Sequence, residues 1–271
     1  MSFTEHNENG IVYMTSDKIS FRHAFTTRYG GVSRGDLASL NLGSNRGDEP
    51  ENVRENWTRI CALMGVGPDD CAVTKQVHGN AVKAVTLADR HVCMSDVPYE
   101  ADGIVTAEKG MPIWCFVADC VPVLLCDDAA GVVGAVHCGW RSSVADILKN
   151  ALDEMEKLGA KRANICVAIG ASIGRCCFET DGDVPEAIEK YLSGDTEGLW
   201  TVRSDGKYMV DLRMANARRL MQLGVKPENI DVSEECTYCS HDKYWSHRYS
   251  KGRRGSQGAV IMIDAPDAER R

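Results

Sequence analysis

The sequence predicts a mixed α+β (α/β) fold, with mixed β-sheets packed between helices. Two observations carry that expectation. Strand-like apolar runs and helix-period apolar faces are interleaved along the chain, and the stretch from Ile113 to His137 contains only strands, which breaks a strict βαβ alternation. No internal repeat, low-complexity stretch or linker interrupts the 271 residues. A single domain over residues 1–271 is therefore expected, with residues 1–10 as a flexible N-terminal tail.

In chain order, Thr26-Thr27-Arg28-Tyr29-Gly30-Gly31-Val32-Ser33-Arg34-Gly35 reads as a tight loop, and Ser39-Leu40-Asn41-Leu42-Gly43-Ser44 as a second turn-rich stretch. A helix is predicted from Pro50, because Asp48 and Glu49 suit a helix N-terminus and proline fits the first turn. Val53, Trp57, Ile60, Cys61 and Met64 then recur at helical spacing, and Gly65 stops it. Ile113 to Val117, Pro122 to Cys126 and Val132 to His137 read as buried strands. Ser142 or Ser143 is expected to cap a helix with Val144, Ile147, Leu148, Ala151, Met155 and Leu158 on one face, ending at Gly159. Ile165 to Ile169 is the next strand, Val184 to Leu192 and Leu212 to Leu223 are helices, and Ile230 to Val232 and Ala259 to Ile263 are late strands.

Composition narrows the function classes. Hydrophobic residues make up 44% and charged residues 26%, ordinary for a globular protein. A net charge of −8 argues against a broad grip on nucleic acid or anionic membrane. No apolar run approaches a membrane span, and the N-terminus has neither the basic start nor the apolar stretch of a signal peptide, so a cytoplasmic protein is expected. Most of the twelve cysteines sit in apolar contexts and read as small buried hydrophobes.

His78, Cys120 and His137 each stand where an apolar run breaks into a turn. Singly, such residues are usually structural. Jointly, two imidazoles and a thiolate make a three-ligand metal site with an open fourth position, the catalytic zinc pattern. Asp119 would orient an imidazole or act as a base, or else is a turn aspartate. The glycine loop with Arg28 is a candidate anion cradle, and Arg141 after Gly139-Trp140 a second anion contact. Tyr244-Trp245-Ser246-His247-Arg248 and Lys251-Gly252-Arg253-Arg254-Gly255 read as a loop closing over an anionic site. Cys236 and Cys239 form a CxxC, but no second CxxC completes a structural zinc site, so a metal or redox role is disfavoured. Walker, dinucleotide and GxSxG motifs are absent, and the H-x-E of His6-Asn7-Glu8 falls in the expected tail.

Seven ordered segments and more resemble the YfiH/DUF152 family, whose members are named as polyphenol oxidoreductases (laccases), purine nucleoside phosphorylases or peptidoglycan editing factors. They include Thr27-Arg28-Tyr29-Gly30-Gly31-Val32-Ser33, Ser39-Leu40-Asn41-Leu42-Gly43, Lys75-Gln76-Val77-His78-Gly79, Ala101-Asp102-Gly103, Ala118-Asp119-Cys120-Val121-Pro122-Val123, Val136-His137-Cys138-Gly139-Trp140-Arg141, and Cys236-Thr237 with Ser246-His247-Arg248. The resemblance runs from about Phe25 to Ile263. It implies a YfiH-like fold with distant similarity to cysteine-hydrolase-like toxin domains. It implies His78, Cys120 and His137 as the zinc-binding, catalytic trio, with Arg28 on substrate or phosphate; Gly30, Gly31, Asn41, Arg141, His247 and Arg248 are expected to join it. The implied activity is phosphorolysis of adenosine, inosine and methylthioadenosine, with adenosine deamination at the same site.

The expected partners are purine nucleosides and phosphate, the expected cofactor Zn2+ with Cu2+ as the alternative, and the expected state a monomer or weak homo-oligomer. Two rivals remain open at this level. His₂Cys is also a blue-copper ligand set, although the chain's seven histidines are few for a four-copper laccase. Cys120 could instead be a nucleophile with His137 or His78 as base, in a hydrolase editing cell-wall precursors.

Overall fold

The computed structural model describes residues 3–91, 93–97 and 99–265. The strands are β1 (Phe3–Glu8), β2 (Ile11–Ser16), β3 (Arg22–Thr26), β4 (Val82–Ala84), β5 (Gly103–Thr106), β6 (Ile113–Val117), β7 (Val121–Asp127), β8 (Val132–Cys138), β9 (Cys166–Ile169), β10 (Glu179–Thr180), β11 (Trp200–Val202), β12 (Tyr208–Val210), β13 (Ile230–Val232) and β14 (Gln257–Met262). The helices are α1 (Pro50–Met64), α2 (Trp140–Val144), α3 (Ile147–Lys157), α4 (Asp183–Tyr191), α5 (Leu212–Gln222) and α6 (His247–Ser250).

One sheet runs β1-β2-β3-β14-β6, and the other β13-β9-β7-β8-β5-β4, with a small β10-β12-β11 sheet beside them. The second sheet is mixed: β13–β9 and β4–β5 are parallel, whereas β7 pairs antiparallel with β8 and β9. Alternation along the strands sorts the core into layers. On β8, Val132, Val136 and Cys138 pack towards α3, α4 and α5, while Val133 and Ala135 face the first sheet. Trp114 of β6 and Val260 of β14 face the other way, onto α1. The order is helices, sheet, sheet, helix, the α+β arrangement of sheets between helices expected from the sequence, with the first sheet antiparallel throughout and the second mixed. Each fully buried leucine or isoleucine in these layers, such as Leu148 and Ile60, contributes about 1.5–3 kcal/mol.

Local signals account for much of this. α1 begins on Pro50 and ends at Gly65, whose φ of 72° is the left-handed cap that a Cβ disfavours. Three differences from expectation have physical causes. Residues 3–8, expected in a flexible tail, form edge strand β1 paired in register with β2 (Phe3 opposite Ser16), and their mostly exposed polar side chains hid the pattern. The single helix expected from Ser142 to Leu158 is two. Asp146 breaks it with a φ of 66°, and its carboxylate receives Arg219 Nε at 2.9 Å. Ser142 and Ser143 lie inside α2, and Gly139 takes the cap position instead. Among the described residues, no helix is long and apolar enough to cross a membrane.

Candidate functional site

Two strand ends and a loop deliver His78, Cys120 and His137 to one point. The β7–β8 register sets Val121 opposite Cys138 and Pro122 opposite His137, so Cys120, just before β7, lies beside the end of β8. His137 takes the β8 face that looks into the space between the sheets, and it is buried. His78 arrives on the loop after Lys75, which is clamped to β6 by Gln76: its Nε2 donates to Phe116 O and its Oε1 accepts from Phe116 N, both at 2.7 Å.

One buried carboxylate holds the arrangement together. Asp102 Oδ1 accepts from His137 Nδ1 at 2.7 Å and from the His78 backbone N–H at 2.9 Å; Oδ2 accepts from Val77 N at 3.1 Å and Gly79 N at 2.8 Å. Asp102 O also accepts from His137 N at 2.7 Å. With Nδ1 on Asp102, His137 directs Nε2 to the site, the carboxylate–histidine arrangement that orients metal ligands. Burial would raise the Asp102 carboxyl, but the bonds from His137, Gly79 and Val77 outweigh it and lower its pKa.

The three ligand atoms lie within 4.8 Å of one another, and Cys120 Sγ is 3.9 Å from His78 Nε2. Nitrogen and sulfur ligands on one tetrahedral zinc sit about 3.5 Å apart, so the trio fits a single ion with little movement. Gly139 leaves the room: a Cβ there would lie 3.0 Å from His78 Cδ2, 3.5 Å from Cys120 Sγ and 3.7 Å from His137 Cε1. Burial opposes charge on both partners, yet their mutual attraction prevails. The Cys120 thiol drops to about 6, chiefly through the charge of His137. His137 rises to about 9 through the Cys120 charge and the Asp102 bond. Both His78 (φ 60°) and Asp119 (φ 82°) hold left-handed backbone beside the trio, a strain of about 1–3 kcal/mol each that clusters at functional sites.

A cleft of about 1040 Å³ opens in front of the trio. Trp57, Phe116 and Phe178 offer aromatic walls, while Arg46, Arg248 and Arg254 supply cations. The hydrogen bonds of these arginines go to Ser256 Oγ, Gly255 O and Glu179 O rather than to carboxylates. Arg254 Nε is buried without a partner among the described residues. Burial, reinforced by repulsion from Arg46, pushes Arg254 down to about 10.

Of the remaining sequence candidates, Asp119, His247 and Arg248 line this cleft. Asp119 Oδ1 accepts from Thr237 Oγ1 at 2.6 Å and Oδ2 from Arg248 N at 2.7 Å, tying two loops to the Cys120 turn. Arg28, Gly30, Gly31, Asn41 and Arg141 are not among the lining residues. The Arg28 guanidinium is committed to Ala38 O and His241 O and stacks on Trp245 at 4.0 Å. Gly30 and Gly31 are packing glycines rather than an anion cradle: a Cβ would come within 2.5 Å of Ile11 Cα and 2.2 Å of Ser39 O respectively. Buried Asn41 bonds Asp48, Gly43 and the Ser256 N–H, and Arg141 stacks outward on Trp140 at 4.3 Å.

Asp102 and Arg46 are the residues that sequence reasoning missed. An acid before Gly103 inside a matching segment was the available signal for Asp102; Arg46 carried none. Arg254 belongs to the basic run expected to close over an anion, but its neighbour Arg253 turns outward to pair with Asp36.

Comparison with known proteins places this geometry in context. A family model described as "Multi-copper polyphenol oxidoreductase laccase" matches residues 22–264. The chain is 35% identical over 243 residues to "Purine nucleoside phosphorylase YlmD" of Geobacillus stearothermophilus, covering 87% of this chain and 88% of that one. It is 33% identical over 233 residues to "Adenosine deaminase RL5" from an unknown prokaryotic organism, covering 83% and 87%. The crystal structure of YlmD from Geobacillus stearothermophilus superposes with a TM-score of 0.92 at 31% identity, over 97% of this chain and 99% of that one.

Proposed function

Because the chain belongs to the YfiH/DUF152 enzyme family, the one described as multi-copper polyphenol oxidoreductase laccase, we propose that it is a zinc-dependent purine nucleoside phosphorylase. Its reaction would convert adenosine, inosine or methylthioadenosine to free base and (deoxy)ribose 1-phosphate, with adenosine deamination at the same site. The observation that carries this reading is the His78/Cys120/His137 cluster opening on a cleft that also carries arginines whose side-chain bonds, among the described residues, go to hydroxyl and carbonyl oxygens. Relatives named phosphorylase and deaminase support the substrate class. The whole chain would act as one domain.

His78, Cys120 and His137 would hold the ion, which would supply Lewis-acid activation. The chain's own groups do the rest. Arg254, with its buried unpartnered Nε, and Arg46 beside it receive phosphate, and Arg248 closes the rim. Trp57, Phe116 and Phe178 line the cleft and offer aromatic surface against which a purine would pack. An oxygen of hydrogen phosphate then bonds C1′ as the glycosidic C–N bond breaks, and the purine nitrogen leaves with the electron pair and takes up the proton that the phosphate gives up. Asp119 holds the turn that presents Cys120, and each of its oxygens keeps a lone pair for a proton or substrate hydroxyl.

One observation favours a second reading. Cys120, His137 and Asp102 stand in the thiol–imidazole–carboxylate order of cysteine hydrolases. Copper oxidation is less well served: among the described residues, the groups able to hold a metal contain two histidines, too few for a four-copper centre. The deciding experiment is metal analysis of the purified protein, followed by chromatography of adenosine and inosine incubations with and without phosphate. Phosphate-dependent free base is expected. Inosine formed from adenosine without phosphate selects deamination, and neither product defeats the nucleoside reading.

A further inference from the structure

The second thiol cluster lies outside this chemistry. The loop after β9 brings vicinal Cys176 and Cys177 against Cys236 and Cys239, so the CxxC that lacked a second pair in sequence acquires one in space. All four sulfurs lie within 4.8 Å of one another, with Cys239 Sγ 3.6 Å from Cys176 Sγ and 3.4 Å from Cys177 Sγ. A disulfide requires about 2.05 Å. Two thiolates on one tetrahedral zinc, at about 2.3 Å from the ion, stand about 3.8 Å apart. The spacing is that of sulfurs sharing an ion.

Backbone N–H groups converge on one of the four sulfurs. The Gly174 N–H donates to Cys236 Sγ at 3.2 Å, and the backbone N–H groups of Cys239 and Tyr238 point at the same sulfur. Gly174 must lack a side chain, since a Cβ there would lie 2.9 Å from Arg213 Nη2, 3.2 Å from Cys236 Cβ and 3.3 Å from Cys176 Sγ. Arg213 is buried and fixed by Ser233 O at 2.6 Å and Glu235 O at 2.9 Å, so a cation stands beside the sulfurs.

We propose that Cys176, Cys177, Cys236 and Cys239 bind one structural zinc ion in a closed four-sulfur site, separate from the His78/Cys120/His137 trio. Its place in the fold sets its consequence. The two loops it joins already meet at Thr237 N to Ser172 O (3.0 Å), and both reach the Cys120 turn, through Ile173 N to Asp119 O (3.0 Å) and Thr237 Oγ1 to Asp119 Oδ1 (2.6 Å). The ion would staple the cleft wall that carries Ile173 and Phe178. Tetrahedral sulfur coordination suits zinc and leaves no open position for substrate.

The test counts metal in the purified full chain by mass spectrometry. Two zinc ions per chain are expected in the wild type and one in His137→Ala; the double variant Cys176→Ser/Cys239→Ser should also hold one. Should the double variant fail to fold, cobalt-loaded His137→Ala answers alone, through the intense charge-transfer and visible bands of tetrahedral cobalt thiolate. A wild type with one zinc that His137→Ala loses entirely overturns the proposal. So does a Cys176–Cys239 or Cys177–Cys239 disulfide in non-reducing peptide maps, iron in place of zinc, or a cobalt spectrum without thiolate bands.

Discussion

The two sulfur clusters meet near Asp119 but are built by opposite routes. Cys120 stands just before β7 and His137 near the end of β8, and a buried carboxylate, Asp102, aims one of the imidazoles. Cys176, Cys177, Cys236 and Cys239 stand on two loops, three of them at least partly exposed, and their supports are backbone N–H groups rather than a carboxylate. The first cluster has three groups able to hold a metal and a cleft of about 1040 Å³ in front of it; the second has four, none of which lines that cleft. Ligand count and access thus vary together. Where the sheet can hold side chains rigid, three ligands would suffice and leave a position for chemistry; where loops must be joined, a fourth thiol would close the shell.

The largest effect should come from His137→Ala, which removes a ligand and the partner of Asp102. Turnover of adenosine and inosine is expected to fall about 10³-fold, and trio metal to be lost while the four-cysteine metal stays. Unaltered kcat/KM would break the comparison at its strongest side. Asp102→Asn should come next, because it touches only the support. An approximately 10–100-fold loss of metal affinity is expected, together with about 1–3 kcal/mol of stability from the weakened N–H acceptor; metal titration and thermal unfolding of the stripped protein read both. A metal affinity equal to wild type would show that Asp102 does not orient His137.

Arg254→Ala sharpens the role of the open position. KM for phosphate should rise about tenfold, the worth of one charged hydrogen bond, while KM for nucleoside changes little. Equal KM values for phosphate would remove the arginines from phosphate binding.

The smallest effect is a reactivity order in the metal-stripped wild type. Although burial would raise Cys120, the charge of His137 brings its thiol down to about 6. Burial and the hydrogen bonds of Cys236 and Cys239 raise Cys176 to about 11. At neutral pH Cys120 is therefore thiolate and Cys176 thiol, so alkylation should mark Cys120 several-fold sooner despite its lesser exposure. Cys120 labelling should decline as pH falls through about 6. Peptide mapping after brief iodoacetamide treatment checks this, and earlier labelling of Cys176 would reverse the contrast.

Local chemistry made much of the fold legible. Proline at the start and glycine at the end bound α1, and the apolar run from Ile113 to Val117 marks β6 to the residue. Sequence also singled out His78, Cys120 and His137, since each ends an apolar run. Where local signals were ambiguous, it failed: β1 is polar and edge-lying, and Asp146 breaks a helix whose apolar period continues through it.

What sequence alone determined is a mixed α+β chain of the YfiH/DUF152 family and the identity of three convergent residues, because apolar period, caps and motif order are properties of neighbouring positions. What only tertiary structure decided is which groups serve them. Asp102 reaches His137 across 35 positions, Cys176 reaches Cys239 across 63, and Arg28 is drawn to carbonyls instead of the cleft. The physical reason is that hydrogen bonds and metal ligation act over a few ångströms in space, and separations along the chain carry no trace of which distant groups the packed sheets and their loops will bring that close.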